Sequence, residues 1–306
     1  MTIDLLVSTV LPTYNGSRFL EQAIRSCLDQ SYSHFELIIV DDASIDGSPE
    51  IIAQYEAMDS RIRSVRHASN LGLPAALNSG FAMARGEVLT WTSDDNLYRP
   101  NALSVLVGFI KANPEVDIVY TGFSFIDEEG RVVGRHSVMP SEELPYHNSV
   151  GACFLYRRRV YEKLGGYDTD ASLVEDYDFW LRAFGSFAFR ALTEDLYFYR
   201  IHTGSLSHRD PDRIKLATRR ILQRNLGGWG RKRRSLAHLR LARDAADMGD
   251  SRIAWSSFGK AISGHPGSLL GRIPWVTFAA LILKHRHFQI LKRTFGKLSG
   301  QSNHRL

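Results

Sequence analysis

Three pairs of adjacent acids mark where this chain could do chemistry. They are Asp41-Asp42 behind the apolar run LIIV, Asp94-Asp95 behind EVLTWTS, and Glu175-Asp176 at the head of YDFWLRAFG. Adjacent carboxylates repel and raise each other's pKa, so a fold that keeps them together must supply compensation. A divalent cation, a hydrogen-bonded ligand or solvent can provide it. One such pair is the ordinary content of a polar loop after a strand. Three pairs, each placed where open α/β sheets put their ligand crevice, point to a site that handles a metal and a proton.

The elements that must hold these acids follow from periodicity. Over the first 125 residues strand and helix patterns alternate. Residues 5–11 and 35–40 read as buried strands, and Phe19, Leu20, Ala23, Ile24, Cys27 and Leu28 recur at helical spacing between them. Ser48-Pro49 supplies an N-cap and first-turn proline for a helix carrying Ile51, Ile52 and Tyr55. A short strand at 62–65, a helix ending at Arg85-Gly86 and a fourth strand, EVLTWT, follow. The alternation predicts an α/β domain with a mostly parallel central sheet flanked by helices. From Asp117 the pattern changes to strand, turn and strand (DIVYTGFSFID-EEG-RVVGR), with further strands at 149–156 and within FAFRALTEDLYFYRIH.

Length and composition fit this reading. The 306 residues, 44% hydrophobic and 23% charged, suit a globular chain of one large domain plus an appendage. Cys27 and Cys153 sit within apolar patterns, as reduced core thiols of a cytosolic protein do. The N-terminus lacks a basic segment before its apolar run and reads as a first strand rather than a signal peptide. The net charge of +5 hides an asymmetry: residues 205–306 carry 21 Lys and Arg against 5 Asp and Glu, while the remainder has 17 against 28. That is +16 on a tail and −11 on the body. The tail predicts helices near 214–226, 236–248, 253–262 and from 275 through 283, broken by GGWG and GHPGS. Its apolar run IPWVTFAALIL, 11 residues long and followed by KHRH, is too short to span a bilayer. A basic tail calls for an anionic partner, with nucleic acid and an anionic membrane surface as the two candidates, or for a solvent role. Its apolar run reads either as an interfacial membrane helix or as part of a helical appendage packed on the body. The charge runs 157–159 and 231–234 read as solvated faces.

The strings VLPTYNGSRFLEQAIRSCLDQSY, ELIIVDDASIDGS, NLGLPAALNSGFAMARGEVLTWTSDDN, GGYD, EDYDFWLRA and YRIHTGSLS occur in this order over roughly residues 5–208. In order and spacing they resemble the family 2 glycosyltransferases, which have a GT-A (Rossmann-like) fold and transfer sugars from nucleotide donors with inversion. The resemblance implies a GT-A domain at 1–208, leaving 209–306 as a basic helical appendage outside it. It implies that Pro12, Thr13 and Tyr14 line the nucleotide base, that Asp41 accepts the base-ring N–H, and that Asn70 and Asp94 also bind the nucleotide side of the donor. Asp42 could cap its loop, and Ser44 and Asp46 serve the turn. Related sequences carry Asp-x-Asp at the TSDD position, where Mn²⁺ or Mg²⁺ bridges the donor diphosphate. Here the usual first Asp is Thr92, so Asp95 is the expected metal ligand, joined by His202, while Asn96 leads into a helix. Asp176 is the expected general base. Gly166, Tyr167 and Glu175 lie on the acceptor side, and Asp178 is a surface or hydrogen-bonding residue. Arg200 would compensate diphosphate charge or pair with Glu194 or Asp195.

The function these readings imply is transfer of a sugar, most often from a UDP donor, to a hydroxyl of a glycan or lipid-linked acceptor in cell-surface polysaccharide, lipopolysaccharide or glycolipid synthesis. The expected place is the cytoplasm, peripheral on the inner face of the membrane. Thr92 raises a second reading, a non-catalytic nucleotide-sugar-binding scaffold. A nucleic-acid partner is not expected, since the tail has no recognised motif and shares the chain with an acidic body.

Overall fold

The computed structural model describes residues 4–205 and 211–282. The chain divides into two compact units, Met1–Ser141 with Val150–Ser205, and Glu142–Ser149 with Leu206–Leu306.

The first unit is built on a nine-stranded sheet of order β3-β2-β1-β4-β8-β6-β9-β5, with β7 paired to β6. One half is parallel: β1 (Val7–Thr13), β2 (Phe35–Asp41), β3 (Ile62–Arg66) and β4 (Val88–Trp91). Every residue of β1 and β2 is buried, which is why they read as near-continuous apolar runs. The helices between these strands are α1 (Ser17–Leu28), α2 (Ser48–Met58) and α3 (Leu73–Met83). The chain order places β1 between β2 and β4, so the sheet has its switch point there and the crevice opens at the carboxyl ends of these strands. The other half is mixed. In it β6 (Ile118–Ile126) runs parallel to β9 (Phe189–Arg200), while β5 (Leu97–Tyr98), β7 (Val132–His136) and β8 (Phe154–Arg157) pair antiparallel.

Several boundaries differ from expectation for local reasons. Helix α3 stops at Met83 because Ala84 turns to extended backbone. Residues 149–153 form a turn with Gly151 at φ 65° instead of the front of a strand. Ser48 lies inside α2 rather than capping it; its N–H is taken by Asp46 Oδ1 at 3.0 Å. Two helices were not anticipated, α4 (Ala102–Ala112) and α5 (Arg158–Leu164), and α6 (Glu175–Ala183) completes the unit. The run 157–159 is not a solvated face. Arg157 donates to the carbonyls of Val116 and Ile110, Arg158 to that of Gly86, and Arg159 pairs with Asp117 at 2.6 Å.

The second unit holds α7 (Pro211–Asn225), α8 (Arg231–Asp247), α9 (Ser251–Gly264) and α10 (Arg272–Ile282). Its small core joins Tyr146, Leu239 and Ala261. Arg240 ties Asp244 to the Tyr146 carbonyl, and Asp250 caps α9 through the Ile253 N–H. Among the described residues no helix is long and apolar enough to cross a membrane. Leu283 and the KHRH segment lie outside the described residues.

Helix α3 approaches the sheet at Gly80, where a Cβ would stand 2.5 Å from Val10 Cγ1 and 3.0 Å from Val40 Cγ2. Gly80→Ala is therefore expected to destabilise by about 1–3 kcal/mol through overpacking, despite alanine's better helix propensity. Urea unfolding measures it; an unchanged midpoint would mean that α3 can back away from β1.

Candidate active site

The carboxyl ends of β1 and β2 lie in register, Pro12 opposite Val40 and Thr13 opposite Asp41. Beyond them Tyr14 is 50% exposed, an aromatic face available to a planar ligand. The two acids of the first pair have different work. Asp42 is saturated: its carboxylate takes His67 Nδ1 at 2.7 Å and the N–H groups of Leu71 and Gly72. That organises the 67–72 loop, on which Asn70 stands exposed. Asp41 accepts the Ser44 N–H through Oδ1, but its buried Oδ2 has no hydrogen bond, only the Arg66 guanidinium 3.3 Å away. Asp46 serves the turn as read, taking the N–H groups of Ser17 and Ser48. Burial opposes its charge, yet the Ser48 and Ser17 donors bring its carboxyl down to about 2.

The second pair sits in the turn after β4. Asp94 accepts the Thr13 hydroxyl at 2.6 Å, which joins it to the β1 end, and Gly16 must lack a side chain because a Cβ there would meet Asp94 Oδ2 at 2.0 Å. Burial, then the charge of Asp95, push the Asp94 carboxyl up to about 7. Asp95 Oδ2 lies 2.9 Å from His202 Nε2, while its Oδ1 is buried without a partner. His202 Nδ1 lies 3.2 Å from the Gly204 N–H, which orients the ring with Nε2 toward Asp95. Arg200 behaves differently from both expectations. Its guanidinium, 1% exposed, pairs with neither Glu194 nor Asp195; Nε holds the Asp95 carbonyl, Nη1 those of Asp127 and Glu128, and Nη2 the Gln22 amide oxygen. Asn96 does not start a helix but takes the Arg200 N–H just ahead of β5. Thr92 is fully buried, with Oγ1 2.7 Å from Tyr197 Oη. The residue that replaces the usual first Asp thus belongs to the core.

The third pair opens α6. Glu175 is buried with Oε2 unpartnered, and burial plus the adjacent Asp176 charge push its carboxyl up to about 8. Asp176 is half-buried, and its Oδ1 takes the Tyr177 N–H at 2.6 Å. Before them Leu173 has φ 76°, and among the described residues the other non-glycine residues with left-handed backbone are Asn15 (55°) and Ala43 (66°). Each stands within three residues of a segment just described, where such strain is characteristically kept.

Asn78 and Arg182, which sequence reasoning missed, help position the Gly166-Tyr167 turn. The Asn78 amide grips Tyr167 from both sides, Nδ2 on its carbonyl at 2.8 Å and Oδ1 on its N–H at 2.9 Å, and also takes the Tyr161 hydroxyl. A Cβ on Gly166 would stand 2.7 Å from that Oδ1. Asp178 is fully buried rather than on the surface, and it orients Arg182, which donates to the carbonyls of Leu164 and Gly166. The available signal was the polar Asn78 within an otherwise apolar helical pattern, and the i, i+4 spacing of Asp178 and Arg182.

Among the described residues, the buried carboxylate oxygens without a hydrogen-bond partner are Asp41 Oδ2, Asp95 Oδ1 and Glu175 Oε2, one in each acidic pair. Such atoms are rare in native proteins. Asp41 Oδ2 has the Arg66 guanidinium 3.3 Å away, and Asp95 Oδ1 and Glu175 Oε2 are the two that most call for a partner from outside the chain. No group of three or more His, Cys, Asp or Glu gathers among the described residues to hold a metal alone. Asp95 with His202 offers a hard oxygen and an imidazole, a fit for Mn²⁺ or Mg²⁺ if substrate oxygens and water complete the shell.

The raised carboxyls set the sign of a pH effect. Between about pH 4, where carboxyls of an unfolded chain ionise, and the folded values of about 7 and 8 for Asp94 and Glu175, the folded chain binds more protons. Their contribution to stability therefore falls as pH rises through that window. Melting temperature measured from acid to neutral pH should drop less steeply for Asp94→Asn with Glu175→Gln than for wild type. Equal slopes would show that neither group is held protonated.

Comparison with known proteins supports one family. The Glycosyl transferase family 2 model matches residues 8–165. An uncharacterised glycosyltransferase of Rickettsia felis is 32% identical over 189 residues, 58% of this chain and 31% of its own length. TuaG of Bacillus subtilis, named for teichuronic acid biosynthesis, is 32% identical over 145 residues, 47% of this chain and 57% of TuaG. The chain thus spans about a third of the Rickettsia protein's length. Among solved structures, S. aureus TarS 1–349 in complex with UDP-GlcNAc superposes with a TM-score of 0.66 at 16% identity, over 97% of this chain and 93% of that one. PcManGT, a mannosyltransferase from Pyrobaculum calidifontis in complex with GDP-Man and Mn²⁺, gives 0.60 at 18% identity, over 98% and 85%. These two likenesses carry the fold alone. The family match at 8–165, over more than half of the chain, establishes that it belongs to glycosyl transferase family 2.

Proposed function

We propose that this protein is an inverting glycosyltransferase that moves a sugar from a nucleotide donor, a UDP-sugar, to a hydroxyl of a glycan or lipid-linked acceptor. The observation that carries the reading is the one orphaned oxygen in each acidic pair. Asp41 Oδ2 is an acceptor for the base-ring N–H, and exposed Tyr14 stacks on the base beside Pro12 and Thr13. Asp94 and Asn70 contact the ribose or sugar. Asp95 and His202 hold the divalent cation, Mn²⁺ or Mg²⁺, which when bound offsets the charge of the departing diphosphate. Asp176 takes the acceptor hydroxyl's proton as that oxygen attacks the anomeric carbon. Glu175, carrying a proton itself, shapes the acceptor side with Gly166 and Tyr167. TarS and PcManGT, seen with UDP-GlcNAc and with GDP-Man and Mn²⁺, support a nucleotide-sugar donor and a metal, and TuaG supports a polysaccharide acceptor in the cell envelope. The catalytic region is residues 1–208. The basic region 209–306 places the enzyme peripherally on the inner, cytoplasmic face of an anionic membrane, where a lipid-linked acceptor would be reached.

Two experiments test the roles. Calorimetry with UDP, dTDP and GDP, each with Mn²⁺, should select one nucleotide, and Asp95→Ala should lose the metal-dependent part of its binding while Asp94→Ala loses less. Equal binding by Asp95→Ala and wild type would remove Asp95 from the metal site. Asp176→Asn should keep donor and metal binding and lose about 10²-fold or more in turnover, the typical worth of a general base. Full turnover in that variant would place the base elsewhere.

A further inference from the structure

The second unit carries an aromatic surface that the catalytic reading does not use. Trp255 on α9 stands 6.1 Å from the Phe278 ring on α10, which stands 6.3 Å from Trp275 and 5.7 Å from Phe258. The four rings form one continuous patch rather than scattered apolar residues. Trp255 and Trp275 are 46% and 59% exposed, and Leu270, in the turn between the helices, is 94% exposed. That turn is pinned by the Trp275 indole, whose Nε1 donates to the Leu269 carbonyl at 2.9 Å.

The charged side chains of the two helices have one sign. Arg252, Lys260 and Arg272 are exposed on them, and residues 251–282 contain no Asp or Glu. Because α9 and α10 contribute cations and no acids, a second copy meeting this face would bring like charges toward each other. Indole rings and a protruding leucine amid cations match a bilayer surface, where aromatic side chains settle at headgroup level and basic ones meet anionic phosphates.

We propose that the α9–α10 face is a monolayer-insertion surface for an anionic bilayer, with Trp255, Trp275 and Leu270 entering the headgroup layer and Arg252, Lys260 and Arg272 contacting lipid phosphates. It deepens the membrane placement given above and rests on that reading for its biological sense, but lipid binding is measurable without catalysis.

Flotation of the full chain tests it, with vesicles of phosphatidylglycerol and phosphatidylcholine against phosphatidylcholine alone, at low and high salt. Wild type should float with the anionic vesicles at low salt. Trp255→Ser with Trp275→Ser should lower vesicle affinity about tenfold or more, since binding scales with inserted apolar area. Leu270→Asp should do the same at a fully projecting position. Leu216→Asp, at another exposed leucine on α7, serves as the control and should float like wild type. Wild-type flotation by the Trp and Leu270 variants overturns the proposal. So does a wild-type dimer in solution that Leu270→Asp converts to monomer, because the face would then be a self-interface. Nucleotide calorimetry on the same proteins separates the two readings. Flotation that fails while nucleotide binding persists sinks only this surface, and flotation that persists without nucleotide binding sinks only the transferase reading.

Discussion

Repulsion between neighbouring carboxylates is the constraint on which the rest of the structure depends. Each acidic pair is resolved by giving its two members unequal surroundings. Asp42 is neutralised by His67 and two backbone donors, which leaves Asp41 with one oxygen open. Asp94 is tied to Thr13 and drifts toward its protonated form, which relieves Asp95. Glu175 is driven protonated by burial, which relieves Asp176. In each pair the two acids thus have unequal surroundings, the environment-driven division of labour seen where two carboxyls share a site.

Arg200 is the second element of that compensation. Its charge is buried and has no carboxylate hydrogen bond, and burial lowers its pKa while the Asp95 charge works the other way. Four of its contacts are to oxygens of Asp95, Asp127, Glu128 and Gln22, and Phe19 stacks beneath it at 4.4 Å. The planar fork can reach several carbonyls at once, which a lysine ammonium would not reproduce. A fixed cation therefore backs the Asp95 turn without occupying the side chain that faces His202. The expected pairing with Glu194 or Asp195 is not made by this guanidinium, whose charge reaches the Asp95 turn through the backbone.

How much was legible in the sequence depends on what each residue's partner is. The parallel half of the sheet was, because β1 and β2 are buried on both faces and their composition shows it. The three acidic segments were, because side-by-side acids are conspicuous and their position after apolar runs is local information. Asn78 was not, although it holds the Gly166-Tyr167 turn, since its contact lies 89 residues away. Of Asp178 and Arg182 only the i, i+4 pairing was local information, and the carbonyls that Arg182 reaches were not. The arginines at 157–159 were misjudged for the same reason: a charge run is solvated unless the fold brings carbonyls to it, and here it does. Helix α5 went unseen because those arginines form its start.

Helix α3 shows how the two sides of the site are made to agree. Its consecutive residues Asn78 and Ser79 point to different clients, Asn78 to the Tyr167 backbone and Ser79 to His67, which in turn holds Asp42. The helix is set against β1 and β2 by Gly80, the next residue, whose missing side chain lets it approach. One turn of helix thus fixes its depth on the sheet, the loop after β3 and the turn ahead of α6. A shift of α3 would move all three together, so the spacing between the 67–72 loop and the Gly166-Tyr167 turn is set by rigid secondary structure rather than by the loops themselves. Residues that must act together on a ligand gain from such a common support, because small displacements at a reacting centre are costly.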